Sequence, residues 1–349
     1  MSNKRKLVGL MGCGTVANYG HLPAIDETDG LELHAIYDPN EESLKEVQKK
    51  YNVTHAFSNE DDFFACELDA VTITSPAPCH KQNVLNAAKH KLPVLCEKPL
   101  AMNKDEASEM IVAMQTADVS LYTGFCYRFS PSALKIRELV REKAIGEVRS
   151  LRLIFNWNCH GKYQTTSEGK RIIQKRREDR MLEGGPMVDC GTHQIDLAKF
   201  WLDSDVVNFS SHGAWVDEYE APDHVWVHMN HANGAHTIVE MSYSYHHTSM
   251  NINKEFIYEL IGTKGVIRYD DVAKTFSMEN TSGTHNFPHH YAKSFTGMYE
   301  EWSLALHTGY SELLTNAEDA MKVVDIARSA TESVINNRKQ VGTQDSSND

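Results

Sequence analysis

The chain has 349 residues, of which 41% are apolar and 24% charged, so it suits two globular domains with substantial cores. Its formal net charge of −13 argues against nucleic acid or an anionic membrane surface as the main partner. Seven scattered cysteines and the absence of a signal-peptide pattern or a bilayer-length apolar run predict a cytoplasmic protein with reduced thiols and no metal site.

The first predicted strand, Leu7–Met11, runs directly into a glycine-rich turn. Its spacing, Gly-x-Gly-x-x-Ala, is typical of a dinucleotide-binding turn between a strand and a helix. The first glycine allows a tight turn, and the second lets a pyrophosphate approach the backbone. Free amides at the helix N-terminus would face the diphosphate, which predicts cofactor contacts at Gly12, Cys13, Gly14, Thr15 and Val16.

The second predicted strand, Leu31–Tyr37, ends at Asp38. A carboxylate at this place accepts hydrogen bonds from ribose hydroxyls and repels a 2′-phosphate, which favours NAD, with NADP as the alternative. Further strands and helices then alternate, which predicts an α/β Rossmann domain over residues 1–125 with a doubly wound parallel sheet. The predicted strands are Ala70–Thr74, Pro93–Cys96 and Ser120–Phe125, and the predicted helices are Glu41–Tyr51, His80–His90 and Lys104–Thr116.

Two further segments follow predicted strands, at the sheet edge where such folds bind ligands. Ser75 and Pro76 begin a stiff turn and His80 opens the next helix. This turn either lines the nicotinamide or is only a rigid connection. Glu97 and Lys98 follow the next strand. A lysine buried there is costly unless a carboxylate offsets its charge, and an exposed pair is the alternative.

In their order and spacing these three segments resemble signatures of the glucose–fructose oxidoreductase / inositol dehydrogenase / MocA (Gfo/Idh/MocA) family. The chain resembles that family across nearly all its length. The resemblance implies an NAD(P)-dependent oxidoreductase that transfers hydride between nicotinamide and a secondary hydroxyl of a sugar, polyol or sugar derivative. It also implies that the turn at Ser75, Pro76 and His80 and the pair Glu97 and Lys98 bind the cofactor.

Residues 126–340 are predicted to form an α+β domain with a large, mainly antiparallel open sheet for substrate binding and oligomerisation. Arg128 falls where family members contact substrate, and a surface arginine is the alternative. Asn156, on the predicted strand Val148–Trp157, is a further candidate for substrate binding. The remaining predictions are helices Ser132–Lys143, Tyr299–Leu314 and Ala317–Asn336, a loop over Thr281–Thr296 and a disordered tail over 341–349.

We expect the helix over residues 317–336 to pack back on the Rossmann domain, as the resemblance implies.

The second chemical centre of the sequence begins at a Gly-Gly-Pro helix start. Asp189 and His193 lie four residues apart, so they share one face of that helix. Helix-dipole stabilisation of the aspartate and a surface histidine are the structural alternatives. Asp-x-Gly-x-His resembles the second family signature, which implies that these residues complete the catalytic and substrate site with Lys98. His193 would exchange the hydroxyl proton, Asp189 would orient the substrate, and Lys98 would stabilise charge on the reacting oxygen.

The segment 170–180 is densely basic. It is predicted either to hold a negatively charged substrate group or to be a solvated loop or a subunit contact. The histidine-rich strand His224–Asn230 lacks the spacing of a zinc or iron site. Its open face predicts packing against another subunit, as a homodimer or homotetramer. Tyr243 and Tyr245 are weaker candidates for the substrate pocket.

Two other functions are compatible with the same dinucleotide site. One is glycoside cleavage assisted by transient oxidation with bound NAD. The other is a non-catalytic dinucleotide-binding regulator, which would not need the proton acceptor that His193 offers.

Overall fold

The computed structural model describes residues 4–158, 163–165, 168, 171–173, 175–217, 219–245, 249–250 and 253–345. In residues 163–165, 171–173, 175–177 and 339–345 it describes the backbone only. The chain forms two compact units, Met1–Ser130 with Lys293–Val324 and Pro131–Ala292 with Asp325–Asp349. The predicted boundary after residue 125 remains a prediction.

Strands and helices alternate through the first third of the chain, and strands dominate the rest. The elements are β1 (Lys6–Met11), a π-helix (Ala17–His21), α1 (Leu22–Glu27), β2 (Leu31–Tyr37), α2 (Glu41–Tyr51), β3 (His55–Phe57), α3 (Glu60–Phe64), β4 (Ala70–Ile73), α4 (Ala77–Lys89), β5 (Val94–Cys96), α5 (Lys104–Thr116), β6 (Leu121–Thr123), a 3₁₀-helix (Cys126–Phe129), α6 (Pro131–Arg141), β7 (Val148–Asn156), β8 (Tyr163–Thr165), β9 (Arg171–Ile173), α7 (Lys175–Leu182), a second π-helix (Met187–Gly191), α8 (Thr192–Leu202), β10 (Val206–Ala214), β11 (His224–His231), β12 (His236–Ser242), β13 (Glu255–Gly262), β14 (Gly265–Asp270), β15 (Thr275–Asn280), β16 (Gly283–Asn286), α9 (Phe295–Thr308), β17 (Thr315–Asn316) and α10 (Ala317–Asp345).

The first unit contains a seven-stranded sheet in the order β17-β6-β5-β4-β1-β2-β3. Every pair is parallel except β17 with β6. Strand order reverses on either side of β1, which is the position where open sheets of this kind bind dinucleotides. The predicted Rossmann fold is therefore confirmed. Sequence reasoning missed β3 and α3. Their three and five residues are too few to show the hydrophobic periodicity of a strand or a helix.

The second unit contains an eight-stranded sheet in the order β10-β11-β12-β7-β13-β14-β15-β16, antiparallel except between β12 and β7. One face of this sheet is apolar and packs against α8. Trp201 of that helix lies 5.1 Å from the Tyr258 ring and donates from its indole nitrogen to the Ala133 carbonyl at 3.0 Å. The predicted α+β domain with a mainly antiparallel sheet is confirmed.

The end of the chain departs from several predicted bounds. The helix predicted over 299–314 runs from Phe295 to Thr308 instead, and Gly309 ends it at a φ of +83°. The region predicted as a loop contains β16, which pairs with β15. The last helix continues to Asp345, beyond its predicted end at 336. Among the described residues, no helix has both the length and the apolarity needed to cross a membrane.

Gly12 follows β1 at a φ of +100°, pressed against the turn that follows β4. A Cβ added there would lie 2.6 Å from the amide nitrogen of Ser75. The Thr74 hydroxyl also joins the two turns, because it donates a hydrogen bond to the Gly12 carbonyl at 2.6 Å. Because backbone atoms would have to move, only glycine fits this position.

We predict that Gly12→Ala lowers the free energy of unfolding by about 1–3 kcal/mol, because the new side chain strains both turns. Gly14→Ala is the matched control, since a Cβ there meets no atom of the described residues within 4 Å. The control should change the free energy of unfolding by less than about 0.5 kcal/mol. Urea unfolding measures both values, and equal losses in the two variants would contradict the packing argument.

Candidate active site

The carboxyl ends of four neighbouring strands bring the predicted cofactor residues together in the first unit. Gly12 follows β1, Asp38 follows β2, Ser75 lies two residues after β4, and Glu97 follows β5. These strands are adjacent in the sheet. The Cys13 amide donates to the Asp38 carboxylate at 2.7 Å, which joins the glycine turn to the acidic residue at the next strand end.

The glycine turn is held so that its open side can receive a ligand. The Asn18 amide donates to the carbonyls of Cys13 and Gly14 at 2.9 and 3.0 Å. Burial, helped by the charge of Asp38, raises the pKa of the Cys13 thiol to about 12. The thiol therefore stays protonated, and Cys13 contributes through its amide. Open space beside Gly14 and the acceptor oxygens of Asp38 fit the diphosphate and ribose of NAD.

His80 joins the two turns that flank the cofactor edge. One ring nitrogen lies 2.9 Å from the carbonyl of Ser75 and the other 2.9 Å from that of Pro99. Burial lowers the pKa of His80, although both carbonyls oppose the shift. The neutral ring has one N–H and donates to one carbonyl at a time. The described contacts of His80 thus position the turns, and its predicted cofactor contact stays a prediction.

Glu97 lies inside a buried polar network, with 6% of its surface exposed. Its Oε1 is 2.8 Å from Nε2 of His21, and its Oε2 accepts the Lys98 amide at 3.0 Å. Nδ1 of His21 is 2.7 Å from the Tyr299 hydroxyl, which donates to the Thr72 hydroxyl at 3.2 Å. The alternative of an exposed Glu97–Lys98 pair is therefore wrong for Glu97, while Lys98 is half-buried.

The network keeps Glu97 ionised. Burial by itself raises the pKa of Glu97, but the hydrogen bond from His21 and the charges of His21, Lys98 and His80 outweigh it. The pKa of the carboxyl consequently lies below its ordinary value. Sequence reasoning missed His21 and Tyr299, because nothing in their spacing relates them to Glu97.

We predict that Glu97→Gln lowers the free energy of unfolding at neutral pH by about 1–3 kcal/mol, since His21 loses its charged partner. Because the pKa of Glu97 is lower in the folded protein, the ionised carboxylate stabilises the fold fully at any pH above the pKa that a glutamate has in the unfolded chain, about 4.3. That stabilisation is lost as the pH falls through the folded-state pKa.

The difference in the free energy of unfolding between wild type and Glu97→Gln should therefore become smaller as the pH is lowered. Urea unfolding at neutral pH and at a series of lower pH values measures it. A difference that stays constant down to the acid limit of folding would contradict an ionised Glu97.

In the second unit, Asp189 lies in the π-helix Met187–Gly191. The Tyr243 hydroxyl donates to its Oδ2 at 2.5 Å, and Nη1 of Arg180 lies 3.3 Å from the same oxygen. Burial raises the pKa of nearby Glu183, and the charge of Asp189 raises it further. Asp189 is thus an anchored carboxylate. Sequence reasoning missed Arg180 as its partner and ranked Tyr243 only as a weak candidate.

His193 lies in the first turn of α8, directly after the π-helix. Its side chain is buried, with 5% of its surface exposed, so the alternative of a surface histidine is wrong. The predicted helix start is found, although its first turn is a π-helix. Single π-helical turns of this kind are frequent at functional sites.

Two predicted substrate residues have structural contacts of their own. Arg128 is buried and donates to the Leu313 carbonyl at 3.1 Å. The Asn156 amide donates to the carboxylates of Glu240 and Glu255 at 2.9 and 3.1 Å. These contacts give both side chains a structural role, and substrate binding by Arg128 and Asn156 stays a prediction.

The basic segment 170–180 contains β9 and part of α7. Lys170 and Gln174 lie outside the described residues, and the others up to Arg177 are described by backbone alone. Within the described side chains of this segment, Arg180 contacts Asp189. The role of the segment in binding a substrate anion stays a prediction.

The fold and the cofactor edge define an NAD-binding oxidoreductase. Residues 6–125 match the description "Oxidoreductase family, NAD-binding Rossmann fold", and residues 133–268 match the Gfo/Idh/MocA C-terminal domain. The chain belongs to the Gfo/Idh/MocA oxidoreductase family. The predicted family, enzyme class and NAD cofactor are therefore confirmed.

Relatives and solved structures agree with this assignment. D-apiose dehydrogenase of Rhizobium rhizogenes is 25% identical over 96% of this chain and 97% of that protein. Myo-inositol 2-dehydrogenase of Thermotoga maritima is 28% identical over 60% of this chain and 59% of that protein. An Agrobacterium radiobacter oxidoreductase, solved with NAD⁺, L-tartaric acid and magnesium, shares the fold at a TM-score of 0.80 and 23% identity, covering 96% of this chain and 97% of that one.

Proposed function

We propose that the protein is an NAD-dependent dehydrogenase acting on a secondary hydroxyl of a sugar, polyol or sugar derivative. The observation that carries the proposal is the position of Lys98. It follows β5 at the same sheet edge as the glycine turn, with its amide bonded to the buried Glu97 carboxylate. Relatives named for D-apiose, myo-inositol and glucose 6-phosphate support a carbohydrate-like substrate.

Each side chain has a defined task in the proposed reaction. The amides from Gly14 to Val16 would bind the pyrophosphate, and Asp38 would accept hydrogen bonds from the ribose hydroxyls. Lys98 hydrogen-bonds the reacting oxygen and stabilises the negative charge that develops on it. NAD, when bound, supplies the hydride acceptor.

His193 is the proposed general acid and base. It takes the hydroxyl proton during oxidation and returns it during reduction, for which an imidazole suits neutral pH. Asp189 orients the substrate hydroxyls. Its own orientation is fixed by Tyr243 and Arg180, so the carboxylate does not need to reorganise when substrate binds.

We predict that Lys98→Met and His193→Asn each lower kcat at least about 100-fold, because each removes a group that acts on the reacting oxygen or its proton. Affinity for NAD should stay close to that of wild type in His193→Asn. Initial rates of NADH formation with a panel of sugars, polyols and sugar acids, together with calorimetric NAD titrations, measure these effects.

The control is Lys104→Met, at an exposed position at the start of α5, and this variant should keep full activity. Net NADH formation from free sugars separates a dehydrogenase from redox-assisted glycoside cleavage. A His193→Asn variant that loses NAD binding instead of turnover would overturn the role proposed for that histidine.

We also propose that the sheet face opposite α8 carries subunit contacts in a homodimer or homotetramer. Trp226, Ile238 and Ile257 are half-buried on that face, beside polar neighbours. A monomer in light scattering would refute this.

We also propose a cytoplasmic location, as the scattered cysteines of the sequence predict. The six cysteines in the described residues form no disulfide bond.

A further inference from the structure

Three side chains with metal-ligand chemistry meet at the outer edge of the first unit's sheet. His34 lies on β2, His55 begins the edge strand β3, and Cys66 follows α3. Each offers one ligand atom, and these atoms all lie within 4.8 Å of one another. All three residues are half-buried, so an ion can reach them from solvent.

The two histidines lie side by side on adjacent strands, and the pairing of β2 is irregular at His34. The register of β1 against β2 shifts between Val8 and Gly9, which leaves His34 as an extra residue on β2. Bulges of this kind re-aim a side chain. The His34 ring centroid lies 4.7 Å from that of His55 on the neighbouring strand.

The core beneath the cluster fixes the position of Cys66. Phe63, near the end of α3, is fully buried and lies against the rings of Tyr37 and Phe57, with centroids 6.0 and 6.5 Å away. The Cys66 amide donates to the Phe63 carbonyl at 3.2 Å. The backbone at Cys66 is therefore tied to α3 and to the core below it, and its thiol lies within 4.8 Å of the imidazole ligand atoms.

We propose that His34, His55 and Cys66 bind a divalent transition-metal cation of the zinc type. Two imidazole nitrogens and one sulfur suit zinc and cobalt, and three protein ligands leave a fourth position for water. The Glu32 carboxylate lies 3.6 Å from Nδ1 of His34 and can orient that ring as an outer partner or complete the coordination. Such an ion would link β2, β3 and the segment after α3, and the site is independent of the proposed dehydrogenase reaction.

Cobalt titration of the reduced, untagged and chelator-treated full chain tests the site directly. We expect one equivalent of Co²⁺ to give the charge-transfer band of a thiolate–cobalt bond, and Zn²⁺ to abolish it by competition. Cys66→Ser should lose the band, and His55→Ala should bind at least about tenfold more weakly. Cys79→Ser and His285→Ala, at exposed positions outside the cluster, should behave like wild type.

A second measurement needs no variant. In wild type, Zn²⁺ at about ten times its dissociation constant should slow alkylation of Cys66 about tenfold while Cys79 reacts unchanged. Peptide mass spectrometry reads both rates. No charge-transfer band at saturating Co²⁺, a band that persists in Cys66→Ser, or equal alkylation of Cys66 with and without Zn²⁺ would each overturn the proposal.

Discussion

The hydrogen bond between the Glu97 carboxylate and His21 is the contact on which the ligand edge of the first unit depends. A buried charge is expensive unless it is paired and fully hydrogen-bonded. Glu97 meets this demand with His21 from the π-helix after the glycine turn and with the amide of Lys98. His21 in turn lies against Tyr299 of α9. Satisfying one carboxylate therefore ties two separate segments of the unit, the first π-helix and α9, to the end of β5.

The second unit anchors its own carboxylate in a similar way. Asp189 is held by a tyrosine hydroxyl and an arginine, and His193 follows it in the next helical turn. Both units place a π-helical turn beside their key acidic contact, at Ala17–His21 and Met187–Gly191. Hydride and proton transfer gain most from groups fixed in advance, because small misplacements cost large factors in rate. The hydrogen bonds and ion pairs that hold both carboxylates are the kind of fixed contacts that the proposed dehydrogenase chemistry requires.

The parts of the site that follow strand ends were predictable from the sequence. Gly12, Asp38 and Glu97 lie along one edge of the sheet because the carboxyl ends of neighbouring parallel strands share that edge. The spacing of the motifs in the sequence is enough to predict this. His21 joins Glu97 only through long-range packing, so no spacing reveals it. The sequence did not predict the cluster around His34 either, because its side chains come from three segments. Two of these segments are at β3 and α3, short elements that were not predicted. The expectation of no metal site rested on the spacing of residues within single segments. Such spacing cannot reveal metal ligands that come from three different segments.

Double-variant kinetics test most directly whether Lys98 and His193 serve one chemical step. Residues that act together in a step have strongly non-additive effects on rate. With a substrate that wild type oxidises, Lys98→Met/His193→Asn should lose little more kcat than the more damaging single variant, while still binding NAD. Losses that multiply in the double variant would mean that the two residues act independently, and would contradict the account.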